Sequence, residues 1–133
     1  MHAECRAVLT YDDFEPGRSL GKAQFSLNQT VLERWCRLYP SDDLDGVMPH
    51  GMVAAISMRA FFEAVPERPP GNIHAGQMFE LLRLPRSGET LTTRVCCLGK
   101  EIRRERKRVT FATDTTGLHG PAFSGKMTIL WAK

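Results

Sequence analysis

The sequence predicts an α+β fold in which one antiparallel sheet curls around one helix. Three observations carry that expectation. The stretch from Gly51 to Val65 is apolar on almost every helical face, and a helix greasy all round must be surrounded by protein. The second half of the chain holds four extended segments with turn residues between them, the pattern of an antiparallel meander. The length of 133 residues, with 42% hydrophobic and 25% charged side chains, suits a single globular domain spanning 1–133 with one real core.

The elements follow in order. Lys22 to Leu27 is short and alternating, a first strand. A helix comes next: Thr30-Val31-Leu32-Glu33 fits a capping box, with Asn28 as a rival N-cap. Val31, Trp35 and Leu38 fall at i, i+4 and i+7 as its apolar stripe, and Pro40 ends it. The central helix lies between Pro49 and Pro66. The strands expected after it are Gln77–Leu84, Glu89–Leu98, Arg106–Asp114 and Ala122–Trp131. Proline and glycine mark the joints, at Pro16-Gly17, Pro66 to Gly71, Pro85 with Gly88, and Gly120-Pro121.

Composition narrows the function. Eighteen basic against fifteen acidic residues give a net charge of +3, too mild to argue nucleic-acid binding. Four cysteines, Cys5, Cys36, Cys96 and Cys97, show no C-x-x-C and no metal-ligand spacing, so neither a disulfide scaffold nor a metal is expected, and a reducing cytoplasm fits. The N-terminus has no signal-peptide apolar stretch, and Val47–Phe62 is too short and too interrupted to span a bilayer.

Several local motifs occur in a telling order. Phe14-Glu15-Pro16-Gly17 opens the chain, Met48-Pro49-His50-Gly51-Met52 leads into the central helix, and Gly71 to Gln77 with Phe79 and Leu81 enters the sheet. Pro85-Arg86-Ser87-Gly88-Glu89-Thr90-Leu91 then makes a turn. From Phe14 to Trp131 this resembles the MaoC-like acyl-CoA hydratase/dehydratase family. The resemblance implies a hotdog fold, an antiparallel five- to six-stranded sheet wrapped around a long central helix. It also implies an acyl-CoA or acyl-carrier-protein thioester as substrate, no cofactor, and a homodimer or dimer of dimers. The family's G-D-x-N-P-(L/I)-H segment supplies an Asp–His pair. Here Tyr39-Pro40-Ser41-Asp42-Asp43-Leu44-Asp45-Gly46-Val47 stands in its place. Asp42 matches the Asp by position; the Asn-Pro, the His and the stretch that follows are absent.

Enoyl-thioester hydration needs an acid–base group for water, a second group trading a proton at the α-carbon, and donors for the thioester oxygen. Asp42 is the candidate acid–base, with a solvated, capping loop as its bland reading. His74, with Gln77 nearby, is a candidate partner, since the strand carrying it should pass close to the helix start. His50 is the other candidate, against a packed or capping role. Asp45 and His50 share the Asp-x4-His separation, but His50 matches the helix-start motif better. Unpaired N–H groups at a helix N-terminus favour an oxyanion, which points to Gly51, with Met52 beside it, as the substrate-binding position; Gln77 is the further candidate for substrate binding. Alternatively Gly51 merely permits tight entry of the chain into the helix. His2 and His119 carry no role. The run Lys100–Arg108 holds six basic and two acidic residues and reads as a solvated hairpin turn, or as a contact for coenzyme A phosphates. Three functions stand: an enoyl-thioester hydratase/dehydratase, a non-catalytic acyl-thioester binder or partner subunit, and a hotdog thioesterase. The last is disfavoured because no acidic residue occurs from Met52 to Phe62.

Overall fold

A computed structural model describes residues 7–133; Cys5 and His2 lie outside the described residues. After a short 3-10 turn at Tyr11–Asp13 come β1 (Ser19–Ser26) and α1 (Gln29–Leu38), then a second 3-10 turn, Pro40–Asp42. α2 (Gly51–Ala64), β2 (Ile73–Leu81), β3 (Thr90–Arg103), β4 (Arg106–Gly117) and β5 (Gly120–Leu130) complete the chain. The five strands form one antiparallel sheet in the order β1-β3-β4-β5-β2.

The meander is therefore three strands, β3-β4-β5, rather than the four expected. β2 pairs with β5, not with β3. Beyond β2 the chain stays on β5, where the Leu82 and Arg83 N–H groups both donate to the Ala122 carbonyl. It then crosses the end of the sheet to reach β3 through residues 84–89. That crossing is held by hydrogen bonds from Met48 N to Pro85 O, Ser87 N to Gly46 O and Gly88 N to Leu27 O. β1 and β2 are thus the two edges.

Asn28, not Thr30, caps α1: its side-chain oxygen accepts from the Val31 N–H at 2.9 Å, satisfying one orphan donor. Leu32 is the α1 residue that reaches the core, flanked by Val31 and Trp35, while Leu38 is 75% exposed. Tyr39, just before Pro40, leaves the helical region, as the residue before a proline prefers.

α2 lies against β1, β3 and β4. Its fourteen residues make a rod of about 21 Å, shorter than the long helix expected. Met52, Val53, Ile56, Ser57, Ala60 and Phe61 face the sheet and are buried. Ala54, Ala55, Arg59, Phe62 and Glu63 are exposed, so the sheet covers one face and leaves the other bare. A single five-stranded sheet shields only the side of the helix that it touches.

Two apolar clusters fill the interface. Met48, Met52, Val53, Ile56, Leu91 and Phe123 gather around the N-terminal half of α2. Ala60, Phe61 and Val65 meet Val95, Phe111, Met127 and Trp131 at its C-terminal end, where Phe14 packs edge-on to Phe111 and Trp131. This polarity fixes which loops stand near which end of the helix.

Candidate functional site

The first turn of α2 and the turn after α1 meet through Trp35. The indole Nε1–H donates to Asp42 Oδ2 at 2.8 Å. The far edge of the same ring lies on Gly51, where a Cβ would come within 2.9 Å of Trp35 Cζ2. Glycine at this position admits the indole. The other reading of Gly51 is compatible with that packing, because the Met52 and Val53 N–H groups turn back on the Pro49 and His50 carbonyls. Among the described residues the Gly51 N–H makes no backbone hydrogen bond, and Gly51 is exposed. A free donor therefore stands at the positive end of the helix dipole.

Asp42 is half-buried, and its Oδ1 takes no hydrogen bond among the described residues. One carboxylate oxygen is fixed by the indole and the other is open to a ligand or water. Asp43 accepts from the Asp45 N–H at 3.3 Å, so it serves the loop. On the α1 side of this loop Leu32, Glu33, Cys36, Asp42, Asp43 and Val47 line a small pocket of about 70 Å³. Burial pushes the Cys36 thiol upward, with Asp43 and Asp42 adding to the rise, so Cys36 is a poor nucleophile.

The acidic loop is strapped to the segment that follows β2. Val47 bridges Arg86, and Met48 N–H donates to Pro85 O at 2.9 Å. Beneath this strap sits a charge cluster: Arg83 grips Glu89 with Nη2–Oε1 at 3.0 Å and Nη1–Oε2 at 3.3 Å. Glu89 also accepts the N–H groups of Arg86 at 2.6 Å and Leu118 at 3.0 Å. Burial alone would raise its pKa, but the Arg83 hydrogen bond and the two N–H donors outweigh it and hold the carboxyl below its ordinary value. Gly117 makes room, since a Cβ there would lie 2.6 Å from Glu89 Oε1.

The other sequence candidates are placed as follows. His50 precedes α2 with an exposed side chain that makes no capping hydrogen bond. Met52 is buried among Leu27, Leu91 and Phe123, so it forms the floor under the helix start. His74 and Gln77 are exposed on β2, with His74 Nε2 and Gln77 Oε1 3.0 Å apart. His74 stands opposite Ile129, which belongs to the cluster at the C-terminal end of α2. Within one chain the start of β2 thus lies at the wrong end of the helix, and the expected passage of that strand beside the helix start is not found. Neither histidine is hydrogen-bonded to Asp42.

The basic run forms the β3–β4 hairpin tip, with Arg104 and Glu105 in left-handed turn geometry at φ 52° and 65°. Its base lies beyond Cys97 and Val109, again at the C-terminal end of α2. One chain therefore does not bring these charges to Gly51. Among the described residues no group of three or more His, Cys, Asp or Glu side chains could hold a metal, and no helix is long and apolar enough to cross a membrane. Sequence reasoning missed Trp35 and the Arg83–Glu89 pair as site-building residues. The Trp35-x6-Asp42 spacing across a helix end was the available signal for the first; for the second there was a buried-strand pattern beginning directly after Glu89.

No family model matches the chain, and no curated protein is similar to it. Solved structures are. The (R)-hydratase PhaJ1 of Pseudomonas aeruginosa in its unliganded form is 22% identical, with 91% of this chain and 84% of that chain covered and a TM-score of 0.73. A MaoC-like dehydratase from Rhodospirillum rubrum is 17% identical, covering 94% and 98%, with a TM-score of 0.79. A hypothetical thioesterase from Streptococcus pneumoniae, solved with coenzyme A, is 12% identical, covering 84% and 77%, at 0.63. At these identities the likeness shows the fold: this chain has the hotdog fold that MaoC-like dehydratases and (R)-hydratases share.

Proposed function

We propose that the chain binds an acyl thioester at the N-terminus of α2 and acts as an enoyl-thioester hydratase/dehydratase, with Asp42 as an acid–base group. The observation that carries this reading is the pairing of a half-open carboxylate with a free helix-start amide, joined by one indole: Trp35 holds Asp42 Oδ2 and packs on Gly51. In the hydration direction the thioester oxygen lies against the Gly51 N–H. Water adds at the β-carbon and loses a proton to Asp42 Oδ1 while charge builds on that oxygen. The helix dipole and the amide stabilise the developing oxyanion. The protonated Asp42 then returns that proton to the α-carbon as the electron pair comes back from the oxygen, which completes the addition and restores the carboxylate. Hydratase and dehydratase structures of the same fold add to the prior, by analogy alone.

A second reading, a non-catalytic thioester binder or partner subunit, is favoured by one specific feature. The only side-chain partner of Asp42 among the described residues is an indole, a donor that cannot take up a proton. The experiment is the absorbance decay of a short enoyl-CoA. Hydration by the protein that is abolished in Asp42→Asn supports the first reading. Thermal stabilisation by the acyl-CoA without turnover supports the second, and release of free thiol points instead to hydrolysis.

A further inference from the structure

We infer that the reverse face of the sheet, at the base of the β3–β4 hairpin, holds a site for the phosphoryl group of a small soluble ligand. Strand alternation separates this place from the thioester site. Val109 and Phe111 on β4, and Met127 and Ile129 on β5, point into the core beneath α2. Thr110 and Thr128 lie between them and so point from the opposite face. A bulge in β3 between Cys97 and Gly99 puts Gly99, rather than Leu98, opposite Thr110. Gly99 offers no side chain, and a Cβ added there would meet nothing within 4 Å. The result is an open recess of about 430 Å³, within the ~300–1,000 Å³ range of small-ligand pockets.

The lining is polar and carries net positive charge. Arg103, Arg108 and Lys100 stand against one carboxylate, Glu101. Glu101 is the direct cross-strand neighbour of Arg108, yet among the described residues no ion pair joins them, and neither Arg103 nor Arg108 has a side-chain partner. Arg108 is half-buried, and a guanidinium withdrawn from water without a partner is costly; an anion in the recess offsets that cost. Lys100 is held by the Tyr11 carbonyl at 3.1 Å and by the Tyr11 ring, so it contributes field more than contact. The Thr110 and Thr128 hydroxyls face each other at 3.5 Å. One O–H serves the other oxygen, which leaves at least one free to donate outward.

These donors suit a phosphoryl group. A guanidinium fork matches two phosphate oxygens and a hydroxyl reaches a third. Three cations against one carboxylate leave +2 to meet a phosphate dianion. A nucleic-acid strand needs aromatic platforms for its bases, and no aromatic side chain lines the recess. The free amide at the start of α2 also attracts anions, so the chain offers an anion two places, which amide signals tell apart.

The test titrates the full chain with sodium pyrophosphate, followed by calorimetry and by amide NMR of ¹⁵N-labelled protein. Saturable binding of one pyrophosphate per chain is expected, with the Gly99, Thr110 and Thr128 signals moving and the Gly51 signal still. Arg108→Gln weakens binding by about tenfold or more. Gly99→Leu, which changes no charge, weakens it comparably by filling the recess. Arg104→Gln, at the hairpin tip and outside the recess, weakens it by less than about threefold, the loss of one screened charge. Arg108→Lys keeps the charge without the fork and falls between wild type and Arg108→Gln; thermal denaturation confirms that each variant is folded. Equal losses in Arg104→Gln and Arg108→Gln, with none in Gly99→Leu, mean diffuse charge attraction and overturn the site. Shifts at Gly51 with Gly99 and Thr110 unmoved, or no saturable binding, overturn it as well. Phosphatidylcholine vesicles containing phosphatidic acid, and a short RNA, are offered in parallel. Binding of either that pyrophosphate does not displace assigns the surface to a lipid or a nucleic acid and overturns the small-ligand site; displacement, or no binding of either, upholds it.

Discussion

The Gly51–Trp35 contact yields the sharpest prediction, because two opposing terms can be set against each other. Alanine at Gly51 restricts the unfolded chain and improves helix propensity, a gain of about 0.5–1 kcal/mol where the backbone allows it. Here the new Cβ would lie 2.9 Å from Trp35 Cζ2, closer than carbon atoms tolerate. Relieving such overpacking costs about 1–3 kcal/mol. The ring is rigid, and swinging it away also loses the indole bond to Asp42. The loss wins, and Gly51→Ala is destabilised by about 1 kcal/mol, lowering Tm by roughly 3–5 °C at this chain length. The assay is thermal denaturation of a double-mutant cycle with Trp35→Leu. Once the indole has been replaced by leucine the clash is gone, so the alanine is neutral or stabilising, and the coupling is about 1–3 kcal/mol. A Gly51→Ala protein as stable as wild type while Trp35 is retained, or a coupling near zero, refutes the packing argument.

Two further predictions concern ionisable groups. Glu89 is held below its ordinary pKa in the fold, so its contribution to stability is present above the unfolded glutamate range and fades as pH falls through that range and then the lowered folded value. Denaturant titrations should show wild type losing its advantage over Glu89→Gln in acid; an advantage of about 1–3 kcal/mol at neutral pH that persists unchanged at the lowest pH contradicts the assignment. The Cys36 thiol is raised by burial and then by Asp43 and Asp42. Asp43→Asn removes one of these charges, so alkylation of Cys36 near pH 8, followed by peptide mass spectrometry, should run faster than in wild type. An unchanged or slower rate counts against the electrostatic cause.

Element order was legible because it rests on local signals: proline and glycine joints, a period-2 alternation in the strands and the Pro49–Pro66 bracket around α2. The neighbour of β2 was not. Its apolar pattern permits pairing with β3 or β5, and the choice depends on the residues 84–89 crossing, which is held by distant carbonyls. Which face of α2 stays bare was not legible for a related reason. Ala54 and Phe62 look the same in sequence whether their own sheet or another surface covers them. At the site, Asp42 and Gly51 were visible from the order of motifs, but Trp35 read as one member of an apolar stripe, since its N–H partner lies past the helix end. Glu89 read as an ordinary turn residue because its cation, Arg83, and the Leu118 N–H reach it only in the folded chain. His74 stood out as chemistry in search of a carboxylate, yet its own chain puts it at the far end of α2.

The central claim is that a thioester oxygen meets the first amide of α2 beside the Trp35–Asp42 pair. Amide and indole NMR spectra recorded while titrating ¹⁵N-labelled protein with a short acyl-CoA read it directly. The account predicts that the Gly51 amide and the Trp35 Nε1–H signals move together and saturate along one binding curve. Saturable shifts confined to the Arg103–Arg108 hairpin, with Gly51 and Trp35 unmoved, would contradict it.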